Sequence, residues 1–498
     1  MNAQILVLEA LAKHARSCGS NTAVAADERS VSFRELFLLV ENLSIELGRL
    51  CPLGGHLFGL CFSDPIKHLV VSLALLKNGA GQISIPVWES VTAKKNVVVT
   101  VDVLAVISDS SDSTDFDAPV FRISDEWGVS CVNAIHVPAS AINSESNTSN
   151  LALVFFGSGT TGIPKIMTVD FDLLGSLIER DLGVREFLAG ERHFCPSSLD
   201  YFTAKRRALG CLVSAVCIML PNLKSSRLIE YCLEHNIQHL SMTTNQAVGL
   251  LRQVEGTSSE ESACLPAVRS LFVGSSPVSE TVRNQIRQRI SSQLFVVYGS
   301  NEFGEATVAT PSELKRHPGT VGRPCPGVAL EIVDAFGKVC PAGEKGYIRL
   351  KSWPMMSGYF GNSGDTNTNF RGEYYYPGDM GTMTSDGSLI FLGRLDDMMI
   401  FRGVNIFPRD IEKVLESHPN VTDAAAFPLH TEEHEQIPFA VVCAQGVSEA
   451  DLLNYCRDRL GWRKPHRIFF TSELPRNQAG KVLKRTLANI VANKLSRK

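Results

Sequence analysis

The sequence predicts an α/β protein in two pieces: a large N-terminal domain over residues 1–394 and a small α+β C-terminal domain over 395–498. Three observations carry the prediction. Short apolar runs alternate with helical patterns through about residue 310, as in doubly wound βα subdomains around a mostly parallel sheet. From Gly319 to Phe391, glycine, proline and aromatic residues punctuate short strands instead, which predicts a small β-barrel-like subdomain over about 311–394. The last hundred residues return to helix signals set among strands.

Taken in order, residues 35–49 carry apolar side chains at helical spacing. Leu57–Cys61, His68–Leu76, Gly81–Pro86 and Val97–Ile107 supply the alternation, and the polar run 108–118 reads as a loop. A second polar stretch, Ser140–Asn150, precedes the apolar strand Leu151–Phe156, after which the βα texture resumes. Ala329–Val333, Gly346–Leu350 and Ser388–Leu392 are the short strands of the barrel-like piece. In the C-terminal domain, Pro408 stands in the first turn of a helix that stops before Pro419, with Ile411, Val414 and Leu415 on one face.

Composition excludes several classes. Hydrophobic residues make up 44% of the 498 and charged residues 20%, so the chain has the means to bury a core. Lys+Arg is 48 against 52 Asp+Glu, a net charge of −4, which lacks the basic footprint of a nucleic-acid binder. The cationic run Lys481–Lys498 reads as a solvated helix. The longest nearly unbroken apolar run, Leu209–Leu220, falls short of the roughly 20 residues a membrane span needs. No basic region precedes the first apolar stretch, which predicts no secretory signal. The 13 cysteines include no CxxC pair and sit mostly in apolar contexts, as buried thiols do in a reducing cytoplasm.

The chemistry-bearing segment follows Leu151–Phe156: Gly157-Ser-Gly-Thr-Thr-Gly-Ile-Pro-Lys165. It satisfies GxGxxG literally. A dinucleotide fingerprint, however, must open a helix onto the pyrophosphate, and here Pro164 and the strand-like run Ile166–Val169 follow. A Walker loop needs lysine directly after the last glycine and then Ser or Thr; here Ile163 and Pro164 separate Gly162 from Lys165, and Ile166 follows. The third reading is a phosphate-wrapping turn between two strands. Gly159 and Gly162 let backbone N–H groups approach oxygens, Ser158, Thr160 and Thr161 add hydroxyl donors, and Lys165 adds charge. A bare glycine hairpin would need neither the hydroxyls nor the lysine.

Ser158–Lys165 resembles the phosphate loop of the adenylate-forming superfamily, which comprises acyl- and aryl-CoA synthetases, the adenylation domains of nonribosomal peptide synthetases, and luciferases. Further segments follow in that family's order, and the whole is most similar to a stand-alone acyl- or aryl-CoA ligase. Leu271–Pro277, with Gly274, Ser275 and Ser276, resembles the strand and turn beside adenine and substrate. Val296–Glu302 resembles the Tyr-Gly-x-Thr-Glu segment, which implies Tyr298, Gly299 and Ser300 at the nucleotide, Asn301 at a phosphate and Glu302 on Mg2+. Tyr376–Asp379 resembles the ribose-binding motif, which implies Asp379 on the ribose. Gly393–Asp397 resembles the ribose-contacting arginine, here Arg394, followed by the interdomain hinge, here Asp396. Leu474–Lys481 resembles the loop bearing the catalytic lysine, here Lys481.

The resemblance implies ATP, Mg2+ and a small carboxylic acid as reactants, with Thr161, Asn301, Glu302 and Lys481 as the catalytic set. It implies transfer of the acyl group from its adenylate to the thiol of CoA or of a separate carrier protein's phosphopantetheine. It also implies a mobile small domain that rotates between the two halves and brings Gly403 to a thiol tunnel. Elementary chemistry is consistent with these roles. Carboxylate attack on an α-phosphate joins two anions, and preorganised cations must neutralise the developing charge. Mg2+ prefers one or two carboxylates plus phosphates, and an aspartate accepts two hydrogen bonds from a ribose diol.

The chain departs from the family at Asn301, where threonine is usual, at Gly157, where Ser or Thr is common, and at Ile166, a frequent glycine. Cys195–Phe202 lacks the histidine of the Pro-Leu-Phe-His pattern. Leu199-Asp200 is similar instead to the Phe-Asp pair with which amino-acid-activating domains grip an α-amine, so Asp200 reads either as that clamp or as a capping residue. Lys205-Arg206-Arg207 reads either as a solvated helix face or as a seat for an anionic substrate tail or phosphopantetheine. The expected pocket (Asp200, Tyr201, Phe202, Thr243, Thr244, Asn245, Val273, Gly274, Val297 and Phe303) mixes apolar and small polar residues, which suits an aryl or medium-sized acid. The alternatives are an amino-acid-activating enzyme that loads a carrier protein, an oxygen-using luciferase type, and a non-catalytic nucleotide-binding relative.

Overall fold

A computed structural model describes residues 1–50, 53–110, 115–123, 132–134, 150–157, 165–220, 227–254, 263–395, 397–401, 404–430, 436–477 and 480–495. Ser158, Gly159, Thr160, Thr161, Gly162, Asp396 and Gly403 lie outside the described residues.

The large α/β domain is built on two sheets. In the first, Val120–Ile123, Ala105–Ser108, Leu57–Cys61, Gly81–Ser84 and Leu151–Gly157 run parallel, and Val132–Ala134 and Lys165–Asp170 close the edges antiparallel. Leu57–Cys61 and Ala105–Ser108 are buried along their whole length, so near-continuous apolar runs form these strands rather than an alternating pattern. Lys165–Asp170 pairs back on Leu151–Gly157, so the Gly/Ser/Thr loop joins two antiparallel strands, the arrangement its residues predict.

In the second sheet, Thr22–Ala26, Cys217–Met219, Arg192–Phe194, His239–Thr243, Ser270–Gly274 and Leu294–Ser300 run parallel. Beyond Leu294–Ser300 the sheet turns antiparallel through Gly304–Ala309, Thr320–Pro324, Leu389–Arg394, Asp379–Met383 and Gly346–Lys351. Residues 311–394 were expected to form a barrel-like unit. Among the described residues their strands extend the second sheet instead, because Thr320–Pro324 pairs with Gly304–Ala309 on one side and Leu389–Arg394 on the other.

Helices Ala3–Ser17, Phe33–Leu50, Pro65–Lys77, Phe171–Leu182 and Phe202–Val213 share one apolar core with strands of both sheets. Pro65–Lys77 shows the logic most plainly. Asp64 accepts from the backbone N–H groups of Ile66 and Lys67, and Pro65 occupies the first turn, where its missing N–H is harmless. Its residues Ile66–Leu76 are all buried, and the polar Lys67, His68 and Ser72 are buried with the apolar majority.

The smaller C-terminal α+β domain has a sheet of Val421–His430, Gln436–Ala444 and Arg467–Phe470. Helices Pro408–Glu416, Glu449–Leu460 and Lys484–Leu495 cover it, with a separate apolar cluster on each side. Pro408 opens its helix as the sequence predicts, and Ile411 and Leu415 are fully buried. No helix among the described residues is long and apolar enough to cross a membrane.

Candidate active site

Leu294–Ser300 is parallel to Ser270–Gly274 on one side and antiparallel to Gly304–Ala309 on the other, so its carboxyl end opens between the two halves of the second sheet. The reversal is tight. Gly304 has φ +81, and a Cβ there would lie 2.7 Å from Leu177, so glycine is required. Tyr298, Gly299, Ser300, Asn301 and Glu302 occupy this strand end and turn. Beside it, Ser275 follows Ser270–Gly274 at φ +76, an uncommon conformation for a residue with a side chain. Thr244 fixes that turn by donating to the carbonyls of Gly274 (3.1 Å) and Ser276 (2.8 Å).

Strand register brings in the next pair. Asp379 and Arg394 sit opposite each other on Asp379–Met383 and Leu389–Arg394. The Tyr298 hydroxyl donates to Asp379 Oδ2 at 2.7 Å, and Arg394 lies 3.5 Å from Oδ1. Asp379 Oδ1 is buried and receives no hydrogen bond from the described residues. Burial pushes the Asp379 carboxyl up to about 6, against the opposing pull of Arg394, the Tyr298 hydroxyl and Lys481. An orphaned, desolvated acceptor is costly unless something donates to it; a ribose hydroxyl is such a donor.

The small domain carries Lys481 within electrostatic reach of this pair. Asn477 Oδ1 accepts from the Lys481 N–H at 2.9 Å, and Arg476 braces the loop by donating to Gly480 O (2.8 Å) and Asp423 (2.6 Å). Burial first, then the neighbouring Arg394, lowers the Lys481 ammonium, while Asp397 and Asp379 oppose. Gly480, at φ +79, rests on the helix Thr244–Val254: a Cβ there would lie 2.5 Å from the Asn245 Cβ. The lysine loop thus touches one expected pocket residue and shares the electrostatic field of the expected ribose pair.

Glu302 meets the phosphate-loop strand through residues that sequence reasoning missed. The Tyr359 hydroxyl donates to Glu302 Oε1 at 2.9 Å, and Asn369 Nδ2 donates to the Tyr359 oxygen at 2.9 Å. Lys165 Nζ lies 4.5 Å from the Tyr359 ring centroid and 3.3 Å from Asp365 Oδ2. Tyr359 falls in an aperiodic Gly/Pro-rich stretch, so no spacing rule flags it. No group of three or more His, Cys, Asp or Glu side chains that could hold a metal occurs among the described residues. A lone carboxylate is nevertheless a sufficient protein ligand for Mg2+ when phosphates and water complete the octahedron, so Glu302 fits that ion.

The pocket expectations divide. Tyr201 and Asn245 are exposed, and Thr243 and Val297 are partly so. Gln246, missed at the sequence level, ties this wall together by accepting from Thr243 N (2.9 Å) and donating to Pro196 O (2.5 Å). Val273, Phe202 and Phe303 are buried in the core. Phe202 stacks on Phe155 at 4.2 Å, and Phe303 stacks on Tyr375. The packing of both sheet faces consumes these apolar side chains.

Asp200 is also turned inward. Its side chain is 3% exposed, Ser198 donates to it at 2.5 Å, and His68 Nδ1 lies 3.8 Å away. Burial raises its carboxyl, and its Oδ1 is buried with no hydrogen-bond donor among the described residues, so Asp200 retains an acceptor that either reading can use. Neither reading of Lys205-Arg206-Arg207 survives, since all three meet partners inside the domain. Lys205 donates to Ser84 (2.9 Å) and Gln82 (3.1 Å), Arg206 pairs with Asp181 (2.7 Å), and Arg207 pairs with Glu305 (3.2 Å). Arg185 adds a two-pronged pair to Glu305, at 3.0 and 2.8 Å. Burial raises the Glu305 carboxyl, but Arg185 and Arg207 more than offset it, so the net direction is down.

Comparison with known proteins gives an independent view. The AMP-binding enzyme family matches residues 11–360, and the AMP-binding enzyme C-terminal domain matches residues 410–481. The chain is 24% identical over 506 residues to 4-coumarate–CoA ligase-like 2 of Arabidopsis thaliana, covering 95% of this chain and 88% of that protein. Among solved structures, amide bond synthetase McbA from Marinactinospora thermotolerans superimposes with a TM-score of 0.84 at 22% identity, covering 97% of this chain and 99% of that one. The O-succinylbenzoate coenzyme A synthetase MenE of Bacillus subtilis, in complex with ATP and magnesium ion, has a TM-score of 0.81 at 21% identity, covering 96% and 98%.

Proposed function

The chain belongs to the AMP-binding enzyme family, within the adenylate-forming superfamily, and on that premise we propose that it activates a carboxylic acid with ATP, releases pyrophosphate, and passes the acyl group from the adenylate to a thiol. The observation that carries the reading is the seat of the lysine loop on the large domain, Gly480 against Asn245, which brings Lys481 within electrostatic reach of Asp379 and Arg394. A cation supplied by the small domain enters the field of a buried acceptor, Asp379, and of its neighbour Arg394 on the large one.

In this reading, Asp379 Oδ1 accepts from the ribose, and the Tyr298 hydroxyl holds the other carboxylate oxygen in place. Arg394 reaches the same sugar, and Tyr298 lies beside the adenine. Gly274, Ser275, Ser276, Gly299 and Ser300 line the nucleotide. Ser158, Gly159, Thr160, Thr161 and Gly162 wrap the phosphates, with Lys165 at the end of the loop. Lys481 bridges the incoming carboxylate and the α-phosphate and stabilises the charge that develops as they join. Asn301 donates to a phosphate oxygen, and Glu302 would hold Mg2+, whose chemistry is to neutralise triphosphate charge. Asp396 is assigned the hinge between residues 1–394 and 395–498, and Gly403 the approach of the pantetheine arm.

The acid pocket is bounded by Tyr201, Thr243, Asn245 and Val297, at the carboxyl ends of the parallel strands, which suits an aryl or medium-sized acid. Asp200 keeps one buried oxygen without a hydrogen-bond donor among the described residues, so amino acids stay in the comparison as a substrate class. CoA and a carrier protein's phosphopantetheine are both open as acceptors. Because one fold relative is an amide bond synthetase, a primary amine belongs in the same comparison.

The test is ATP–pyrophosphate exchange across aliphatic, aryl and amino acids, followed by acyl transfer to CoA, a phosphopantetheinylated carrier and an amine. At least one acid should support exchange, and Lys481→Ala should reduce it by about 100-fold or more while ATP still binds. Exchange that survives Lys481→Ala removes the lysine from the mechanism. ATP binding without exchange on any acid selects the non-catalytic alternative.

A further inference from the structure

We propose that Tyr359 is a positioning residue for the metal-binding carboxylate: it aims Glu302 from below and couples that aim to the lysine at the end of the phosphate loop. The proposal rests on the assignment of Glu302 to the metal made above. Three observations carry it.

The first is the direction of a proton. Tyr359 is 6% exposed, and a buried phenol needs a partner for its O–H. Its oxygen already receives the Asn369 amide N–H at 2.9 Å. A phenol has a single proton, and an ionised carboxylate has none to give. The bond to Glu302 Oε1 at 2.9 Å therefore runs from tyrosine to glutamate. One Glu302 oxygen is thereby fixed; Oε2 makes no hydrogen bond among the described residues and is left for a cation.

The second is how firmly the tyrosine is held. Its N–H donates to Thr366 Oγ1 at 2.9 Å, and its backbone bridges to Met167. The next residue, Phe360, donates to Ile166 O at 2.9 Å. Tyr359 therefore rides on the strand that leaves the phosphate loop. The third is the ring itself, which lies 4.5 Å under Lys165 Nζ, within cation–π range. One side chain thus faces the loop's cation with its ring and the metal ligand with its hydroxyl.

Mg2+ demands near-ideal octahedral geometry, so a ligand that swings loses affinity. Outer partners of metal ligands typically account for 10–100-fold in metal affinity. The test uses the full chain with Mn2+, an oxygen-seeking and spectroscopically visible substitute for Mg2+. The Kd of Mn2+ is read by electron paramagnetic resonance in the presence of saturating ATP, and ATP binding is read separately in EDTA. Tyr359→Phe keeps the ring and should weaken Mn2+ roughly tenfold, with metal-free ATP binding changed less than twofold. Asn369→Ala, which leaves the tyrosine and its packing in place, should weaken Mn2+ less but in the same direction. Unchanged Mn2+ affinity in both variants overturns the proposal. So does an equal loss of ATP binding in EDTA, which is general damage. Glu302→Gln separates this from the parent reading. If it leaves Mn2+ unaffected, or if the unaltered chain binds no ATP, the metal assignment itself fails and the tyrosine's role falls with it.

Discussion

Replacing Asp379 with asparagine separates what this carboxylate does for the fold from what it does for nucleotide. Its carboxyl is held at about 6 instead of the ordinary 3.8, with burial the largest cause. The ionised fraction therefore falls from about nine-tenths at pH 7 to about one-tenth at pH 5. If the ribose hydrogen-bonds to the ionised form, ATP affinity drops about tenfold over that interval, or about 1.4 kcal/mol. ATP's own phosphates titrate in the same window. The quantity to measure is thus the ratio of Kd values for the unaltered chain and Asp379→Asn, by calorimetry from pH 5 to 8 at constant ionic strength. The ratio should favour the native chain above pH 6 and collapse below it. A flat ratio would refute the contact between Asp379 and the nucleotide.

The same substitution has an opposite effect on the empty protein. A folded-state value raised above the unfolded one means that the fold binds the proton more tightly, so the carboxyl's contribution to stability is fully present below about pH 4 and is lost as pH rises through 6. A rise from 3.8 to about 6 corresponds to about 3 kcal/mol. Asp379→Asn should therefore stabilise the nucleotide-free chain by up to that amount at pH 8, and the gain should fade towards pH 4. Thermal or denaturant melts at the two pH values check this, and the expected outcome is a residue that binds ligand at the fold's expense.

Two further substitutions probe the lobes. Gly480→Ala forces a left-handed residue to carry a Cβ that would lie 2.5 Å from Asn245; the lysine loop should lose its seat, and pyrophosphate exchange should fall about tenfold or more with ATP binding retained. An unaltered exchange rate would mean that this contact does not form in the adenylating state. Arg206→Met strands Asp181 without its partner in a buried site. Denaturant unfolding should show a loss of about 3–5 kcal/mol, the usual result of breaking a buried pair from one side, whereas a loss below about 1 kcal/mol would place water or another cation beside Asp181.

The class of the fold and the identity of the chemistry were legible in the sequence because both are local. A strand, a hydroxyl-rich turn with a lysine and a second strand can be read from a dozen consecutive residues, and the paired strands Leu151–Gly157 and Lys165–Asp170 have that form. Pro408 and the spacing of Ile411 and Leu415 defined a helix by the same local logic. The side-chain partners were not legible, since they depend on register and packing between distant segments. Asp379 faces Arg394 because two antiparallel strands align there, and Glu302 meets a tyrosine 57 residues on. Phe202, Phe303 and Val273 read as pocket walls by type, and how deeply each is buried was set by packing against both faces of a sheet. The run Lys205-Arg206-Arg207 looked solvated for the same reason: charge in a sequence says nothing about the acids that other elements bring to meet it. The chain's local pattern determined the reactive groups it carries, and only the tertiary structure decided which of them share one low-dielectric space, because burial and proximity are properties of the packed whole.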